Sequence, residues 1–396
     1  MDQIKQLVAQ ATPAMIEMRR DLHRHPELGY QEHRTAALVE QSLAALDGVA
    51  VTRVTGTGVV GVLTGSLPGP VLLLRADLDA LPIEEETGLP FASEVKGVMH
   101  ACGHDGHTAI LVAAAKILAE KRSNLPGTIK FIFEPNEEEV GALAMIEAGV
   151  MENPKVTAAA SLHLWAQLPL GRISVEEGVT WAGMDHFTIK VRGRGGHTGS
   201  PHTAIDPILV AAHIVTGLQV LQSRELDPFL SSSLVFGRIT GGRAANIIPS
   251  EVELEGTIRY LFDGRDDGPY KPRIRLRQIA QDLARTYRAE AEVDFYCSQP
   301  PMSNNPRMTA LGRAAAAATT GPESLQKFLN MGGEDFSEFS ARVPAVMAMI
   351  GAGSQKAGAV YPHHNSKFAI DEEALSIGLE WLLRTTLSYL NSSYLE

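Results

Sequence analysis

The run His100-Ala101-Cys102-Gly103-His104-Asp105-Gly106-His107 places one thiol, three imidazoles and a carboxylate just ahead of an apolar helical stretch. The 396 residues contain only two cysteines, and Cys102 is one of them. On a helix, Cys102 and His104 would face different ways. A loop bent at Gly103 lets them converge. Thiolate and imidazole are borderline-soft donors that suit zinc, nickel or cobalt better than calcium. The competing reading is a buried free cysteine beside surface histidines.

Other candidates are scattered along the chain. Glu137, Glu138 and Glu139 follow the apolar run 128–133, which Pro135 stops. Neighbouring carboxylates diverge, so one can bind a metal while the next faces a water as general base. A solvated acidic turn is the alternative. His163 ends the run 158–162 and reads either as a ligand or as a hydrogen-bonded interior residue. His363 and His364 follow Tyr361-Pro362, after the run 345–350, and read as ligands or as an exposed loop. Asp77 and Asp79 close the run 71–76, where turn-forming aspartates are also common. His197, after Gly195-Gly196, taken alone reads as a surface turn residue. The argument lies in the coincidence. Separate strand ends each bring a metal-capable side chain to one sheet edge, the edge where open parallel sheets build their sites.

The elements that must position these residues are legible from periodicity. Residues 3–45 carry helical spacing broken at His25-Pro26, and 108–121 reads as a helix. The apolar runs 71–76, 128–133, 158–162 and 345–350 read as buried strands. Alternation with helices implies an α/β domain with a largely parallel sheet flanked by helices. The middle of the chain differs. Strands at 186–191, 232–239, 251–261 and 291–297, with helices at 206–221 and 274–287, give the order β-α-β-β-α-β of a ferredoxin-like α+β domain. The expected organisation is residues 1–183 and 298–396 as one α/β domain, with 184–297 inserted as a smaller α+β domain.

Composition narrows the function. Hydrophobic residues are 44% and charged residues 20%, as in ordinary globular chains. The formal net charge of -11 makes nucleic acid and anionic membrane poor partners. Met1-Asp2-Gln3-Ile4-Lys5 shows no signal-peptide pattern, and two distant cysteines make no disulfide framework, so a cytoplasmic location is expected.

The segments Arg20-Asp21-Leu22-His23-Arg24-His25-Pro26-Glu27-Leu28, Arg75-Ala76-Asp77-Leu78-Asp79-Ala80-Leu81-Pro82 and His100-Ala101-Cys102-Gly103-His104-Asp105 resemble the M20 metallopeptidase clan. Within it, they resemble the amidohydrolase branch of hippurate hydrolases, N-acyl-amino-acid amidohydrolases (aminoacylases) and auxin-conjugate hydrolases. Pro135-Asn136-Glu137-Glu138, Gly195-Gly196-His197, Asn246-Ile247-Ile248-Pro249, Gly333-Glu334-Asp335-Phe336 and His364-Asn365-Ser366-Lys367-Phe368 extend the match in order over nearly the whole chain.

The resemblance implies a zinc-exopeptidase-like fold, with 1–183 and 298–396 as the catalytic di-metal domain and 184–297 as an inserted lid and dimerisation domain, and two divalent metal ions per subunit, whether zinc, manganese, cobalt or nickel. It implies Cys102 as the ligand bridging both metals, with His104, Glu138, His163 and His364 as further ligands. Glu137 is implied as general base and proton shuttle for a metal-bridging hydroxide that attacks the amide of an N-acyl amino acid, releasing a carboxylate and a free amino acid. Asp79 is implied to orient a ligand, and His197 to act in the neighbouring subunit of a homodimer joined through the inserted domain. Asn246 and Arg259 are implied to hold the polar end of the substrate. Two departures leave the register open. Glu139 extends the acidic run where the family commonly has Gln-Pro-Ala-Glu-Glu, and His363 beside His364 offers a second imidazole. The alternatives are a dipeptidase or carboxypeptidase of the same clan, a cysteine hydrolase built on Cys102, and a non-catalytic binding protein on this scaffold.

Overall fold

The structure is a computed structural model that describes residues 2–266, 268 and 270–392. Residues 1 and 393–396 of the expected catalytic segments, and 267 and 269 of the expected insert, lie outside the described residues. The chain forms two units. One comprises the chain up to Gly178, Ser303–Phe328 and the chain from Glu338 onward; the other comprises Val179–Met302 with Leu329–Ser337.

The first unit is a mixed α/β structure. Its seven-stranded sheet runs Val49–Val54, Gly58–Thr64, Pro126–Glu134, Leu67–Asp77, Ala158–Pro169, Ala345–Gly353 and Ile173–Ser174. The four strands from Pro126–Glu134 to Ala345–Gly353 are mutually parallel, whereas the two strands on one side and the one on the other pair antiparallel. The antiparallel pair at 49–64 goes beyond the expected parallel set. Strand order reverses around Leu67–Asp77, which pairs with Pro126–Glu134 on one side and Ala158–Pro169 on the other. That is the switch point at which a crevice opens beyond the carboxyl ends of the strands. Leu72, Leu74, Phe131, Phe133, Ala160 and Ile350 from the central strands are buried in one core with Ile110, Leu118, Leu379 and Trp381 from the helices. The central strands are apolar because both faces are covered.

Local chemistry sets the helix limits. Asp2 caps Gln3–Arg24 by accepting the Ile4 N–H at 3.0 Å, and Pro26 denies the chain a continuing donor just past its end. The helix expected at 108–121 runs instead over His104–Glu120, because left-handed Gly103 releases the chain into the helix one turn earlier. The strand expected at 158–162 continues to Pro169, carrying His163 within it rather than past its end.

The second unit has its own core of Phe187, Ile189, Leu254, Ile258, Leu276 and Ala280. Its antiparallel sheet runs in the order Ser232–Gly241, Glu251–Tyr260, Gly183–Arg192 and Glu290–Gln299, with helices Pro207–Gly217 and Pro272–Thr286 as the connections. In chain order this is β-α-β-β-α-β. Asp206 caps the first helix by accepting the Ile208 N–H at 2.9 Å, with Pro207 where no intrahelical donor is needed.

Candidate metal centre

Two groups of donors meet at the carboxyl ends of the central strands. Cys102, His104 and His163 offer ligand atoms all within 4.8 Å of one another, as do Cys102, Glu138 and His364. Cys102 is common to both. The first group is buried throughout, while the second rises from buried Cys102 through half-buried Glu138 to exposed His364, so the cluster has a solvent side. Gly103, at φ 93°, supplies the bend between Cys102 and His104.

Asp79 ties the cluster together. His104 Nδ1 lies 2.9 Å from the Asp79 carbonyl and 3.2 Å from its Oδ1, and Asp79 Oδ2 accepts the Glu138 N–H at 3.1 Å. With its proton on Nδ1, His104 presents the lone pair of Nε2, a buried nitrogen with no hydrogen-bond partner among the described residues. Burial opposes a charge on this ring, yet Asp77, Asp79 and Glu137 outweigh it and raise its pKa well above 6.5. The pocket around Nε2 therefore favours a cation, whether proton or metal ion. The thiol, imidazole and carboxylate donors fit a borderline divalent transition-metal ion.

His163 places Nε2 3.6 Å from the Cys102 sulfur and turns Nδ1 to the Leu164 carbonyl at 2.8 Å. Burial, with His107 and His363 nearby, drives its pKa well below 6.5, toward the neutral form that a ligand needs. Glu137 opens the 3-10 turn Glu137–Glu139 and brings Oε2 to 3.7 Å from His104 Nε2, facing the same space as Glu138.

Asp77, His104 and His107 also lie close enough to hold an ion. His107 is already committed, however: Nδ1 is bound to Asp77 Oδ1 at 2.7 Å and Nε2 accepts the Leu164 N–H at 2.9 Å. Asp77 further accepts from Arg75 at 2.8 Å, and Arg75 from its other edge reaches Glu134 at 2.8 Å. Burial would raise the Asp77 pKa, but His104, His107 and Arg75 hold it well below the carboxylate range. This buried chain of charges is a buttress under the cluster.

The two adjacent imidazoles separate clearly. His363 uses Nε2 on the Leu164 carbonyl and Nδ1 on the Gln167 side chain, both at 3.0 Å, and stacks on Trp165. Burial lowers its pKa to about 3. His364 is pinned through its N–H to the Ala101 carbonyl at 2.9 Å and points Nε2 at Glu138 Oε1, 3.2 Å away.

The remaining expected site residues belong to the second unit. His197 is exposed on the two-residue strand Gly196–His197, which pairs with Ile247–Ile248, and its Nδ1 accepts the Gly199 N–H at 2.9 Å. His197 and Asn246 line one surface depression. Arg259 stands elsewhere in that unit, donating to the Met331 carbonyl at 3.0 Å, with its pKa lowered by burial.

Periodicity alone missed the ion cluster behind the helix start. Arg19 Nε and His23 Nδ1 both lie 2.8 Å from Asp105 Oδ2, next in sequence to His104. A signal existed: Val8, Met15, Arg19 and Leu22 share the inward face of the first helix, so Arg19 is a charge at an apolar position.

The family profile described as Peptidase family M20/M25/M40 matches residues 73–388, and the chain belongs to this family of hydrolases. An N-acetylcysteine deacetylase of Bacillus subtilis is 37% identical over 386 residues, covering 96% of this chain and 97% of that protein. Thermostable carboxypeptidase 1 of Saccharolobus solfataricus is 38% identical over 388 residues, covering 95% of each. The crystal structure of the Bacillus subtilis YXEP protein, described as a dinuclear metal binding peptidase from the M20 family, matches with a TM-score of 0.83 at 33% identity, over 96% of this chain and 99% of that one. Among the described residues no helix is long and apolar enough to cross a membrane.

Proposed function

We propose that the protein hydrolyses the amide bond of N-acyl amino acids, releasing a carboxylate and a free amino acid. The observation that carries this reading is the pair of three-residue donor groups sharing Cys102, with Glu137 facing the same space. Cys102, His104 and His163 would hold one divalent ion, and Cys102, Glu138 and His364 a second. When bound, such ions acidify water and polarise a carbonyl.

The protein's own groups supply the rest. The Glu137 carboxylate takes the proton from the attacking water and delivers it to the nitrogen of the departing amine. Asp79 fixes the His104 tautomer and, through the Glu138 N–H, the turn that carries Glu137. We assign Arg259 and Asn246 to the polar end of the substrate, and His197 to oxyanion stabilisation in the neighbouring subunit of a homodimer. Support for dimerisation through the second unit comes from its edge strand Ser232–Gly241, where Val235 and Ile239 are exposed. A monomer by light scattering that is fully active would remove His197 from that role.

The direct test is release of free amino acid from a panel of N-acyl amino acids by metal-stripped protein, with and without zinc, manganese, cobalt or nickel. Activity that returns only with metal is expected. Turnover of peptides with free C-termini, and none of the panel, would instead favour a carboxypeptidase, the name carried by the archaeal relative.

A further inference from the structure

Glu32 is a carboxylate with no local reason to be buried. It directly precedes the helix His33–Ala44, yet its side chain makes no capping bond to that helix. Glu27 does so instead, accepting the Arg34 N–H at 2.9 Å and the Thr35 N–H at 2.8 Å. Glu32 is fully buried and turns both oxygens to partners elsewhere in the chain. Oε1 accepts the Asn136 N–H at 2.9 Å, and Oε2 accepts the Thr57 hydroxyl at 2.6 Å. Asn136 is left-handed, at φ 59°, and there the chain leaves the strand Pro126–Glu134 for the turn Glu137–Glu139. The Asn136 carbonyl accepts the Gly141 N–H at 2.9 Å, which closes that turn. Gly29 permits the close approach, since a side chain at position 29 would collide with Asn136.

We propose that Glu32 is a positioning residue, which clamps the Asn136 amide and so holds the Glu137 carboxylate in place. Its catalytic consequence rests on the reading of Glu137 as the proton carrier. Asp79 accepts the Glu138 N–H at 3.1 Å, so Glu137 lies between two amides, each bound to a buried carboxylate. Burial raises the Glu32 pKa above 4.5, and the Asp79 charge adds to the rise, against the bonds from Thr57 and Asn136. Two like charges brought near each other out of water cost free energy. What these two share is the turn that carries Glu137. A left-handed residue other than glycine persists where its surroundings over-determine it, as the bonds to Glu32 and Gly141 do here. Proton transfer is sensitive to such placement, because a shift of about 1 Å can cost on the order of 10²-fold in rate.

The experiment compares the metal-loaded full chain as wild type, Glu32→Ala, Glu32→Gln and Thr57→Val. It measures kcat, KM and metal content with N-acyl amino acids, and amide hydrogen exchange over residues 134–140 by mass spectrometry. Glu32→Ala is expected to lose on the order of 10–100-fold in kcat, with KM and metal content unchanged, and to exchange faster over this segment. Glu32→Gln keeps an acceptor for the Asn136 N–H and should recover most of both. Thr57→Val removes the other partner and should lower stability while leaving kcat near the wild-type value. If Glu32→Ala does not fold, Glu32→Asp, one methylene shorter, takes its place with the same expectations. Unchanged kcat in the folded variant overturns the positioning role, as does a fall in kcat explained wholly by lost metal. An equal loss of kcat in Thr57→Val also overturns it and makes Glu32 a structural tie. Each of these leaves the hydrolase reading standing. No turnover by the wild type overturns the hydrolase reading instead. The clamp is then kept by faster exchange confined to the Glu32→Ala chain, and overturned by unchanged exchange.

Discussion

Asp79 and His104 are joined twice, His104 Nδ1 lying against both the main-chain carbonyl and the carboxylate of Asp79. This fixes which ring nitrogen keeps its proton and turns the other toward Cys102, His163 and Glu137. Replacing Asp79 with Ala is therefore expected to weaken metal binding by about 10–100-fold. Zinc titration against a competing chelator measures it. Unchanged affinity in a folded variant would show that the main-chain carbonyl alone suffices.

Glu137 and Glu138 are neighbours with different geometry, and the proposed reading makes the first the proton carrier and the second a ligand. Glu137→Gln should keep the metal and lose about 10²–10⁴-fold in kcat. Glu138→Gln should lose metal, because Glu138 sits with Cys102 and His364. Metal content and single-turnover rates on the same preparations decide the register, and the reverse pattern would exchange the two roles.

Asp105 is buried against Arg19, both 1% exposed, and against His23. Asp105→Ala leaves the Arg19 charge buried without this partner and is expected to cost about 3–5 kcal/mol in urea unfolding. Arg19→Met combined with Asp105→Leu should cost clearly less than the sum of the single changes, because the pair is removed together. Additive losses would count against coupling between them.

Burial pushes His23 toward its neutral form, but Asp105, with Glu85, outweighs burial and the opposing Arg19 and raises its pKa above 6.5. The folded protein thus holds the His23 proton more tightly than the unfolded chain does. The resulting stability is fully present below pH 6.5 and is lost as pH rises through the folded pKa. Urea unfolding between pH 6 and about 9 should show this decline in the wild type and a shallower one in His23→Gln. Equal slopes would remove His23 as its source.

Much of the centre could be read along the chain because its parts are local. Gly103 marks the bend between two donors, Pro135 marks the strand end ahead of the glutamates, and the apolar runs mark the buried strands. The antiparallel strands Val49–Val54 and Gly58–Thr64 are not legible along the chain, because a short edge pair carries a weaker pattern than a buried run. Donor chemistry alone leaves His363 and His364 interchangeable, and only the family resemblance favours His364.

By itself the sequence determined which side chains are available, which strands are buried on both faces, that carboxylate and imidazole donors lie in or just beyond several of those strands, and that a thiol sits in the loop ahead of a helix. Only the tertiary structure decided which of them share a space. It turned His107 into a buttress by filling both its nitrogens, set His363 on Trp165 and left His364 facing Glu138. The physical reason is that a donor's role depends on which of its lone pairs remain unsatisfied. That is settled by partners such as Asp77, Asp79 and Leu164, which lie far away along the chain and adjacent in the fold.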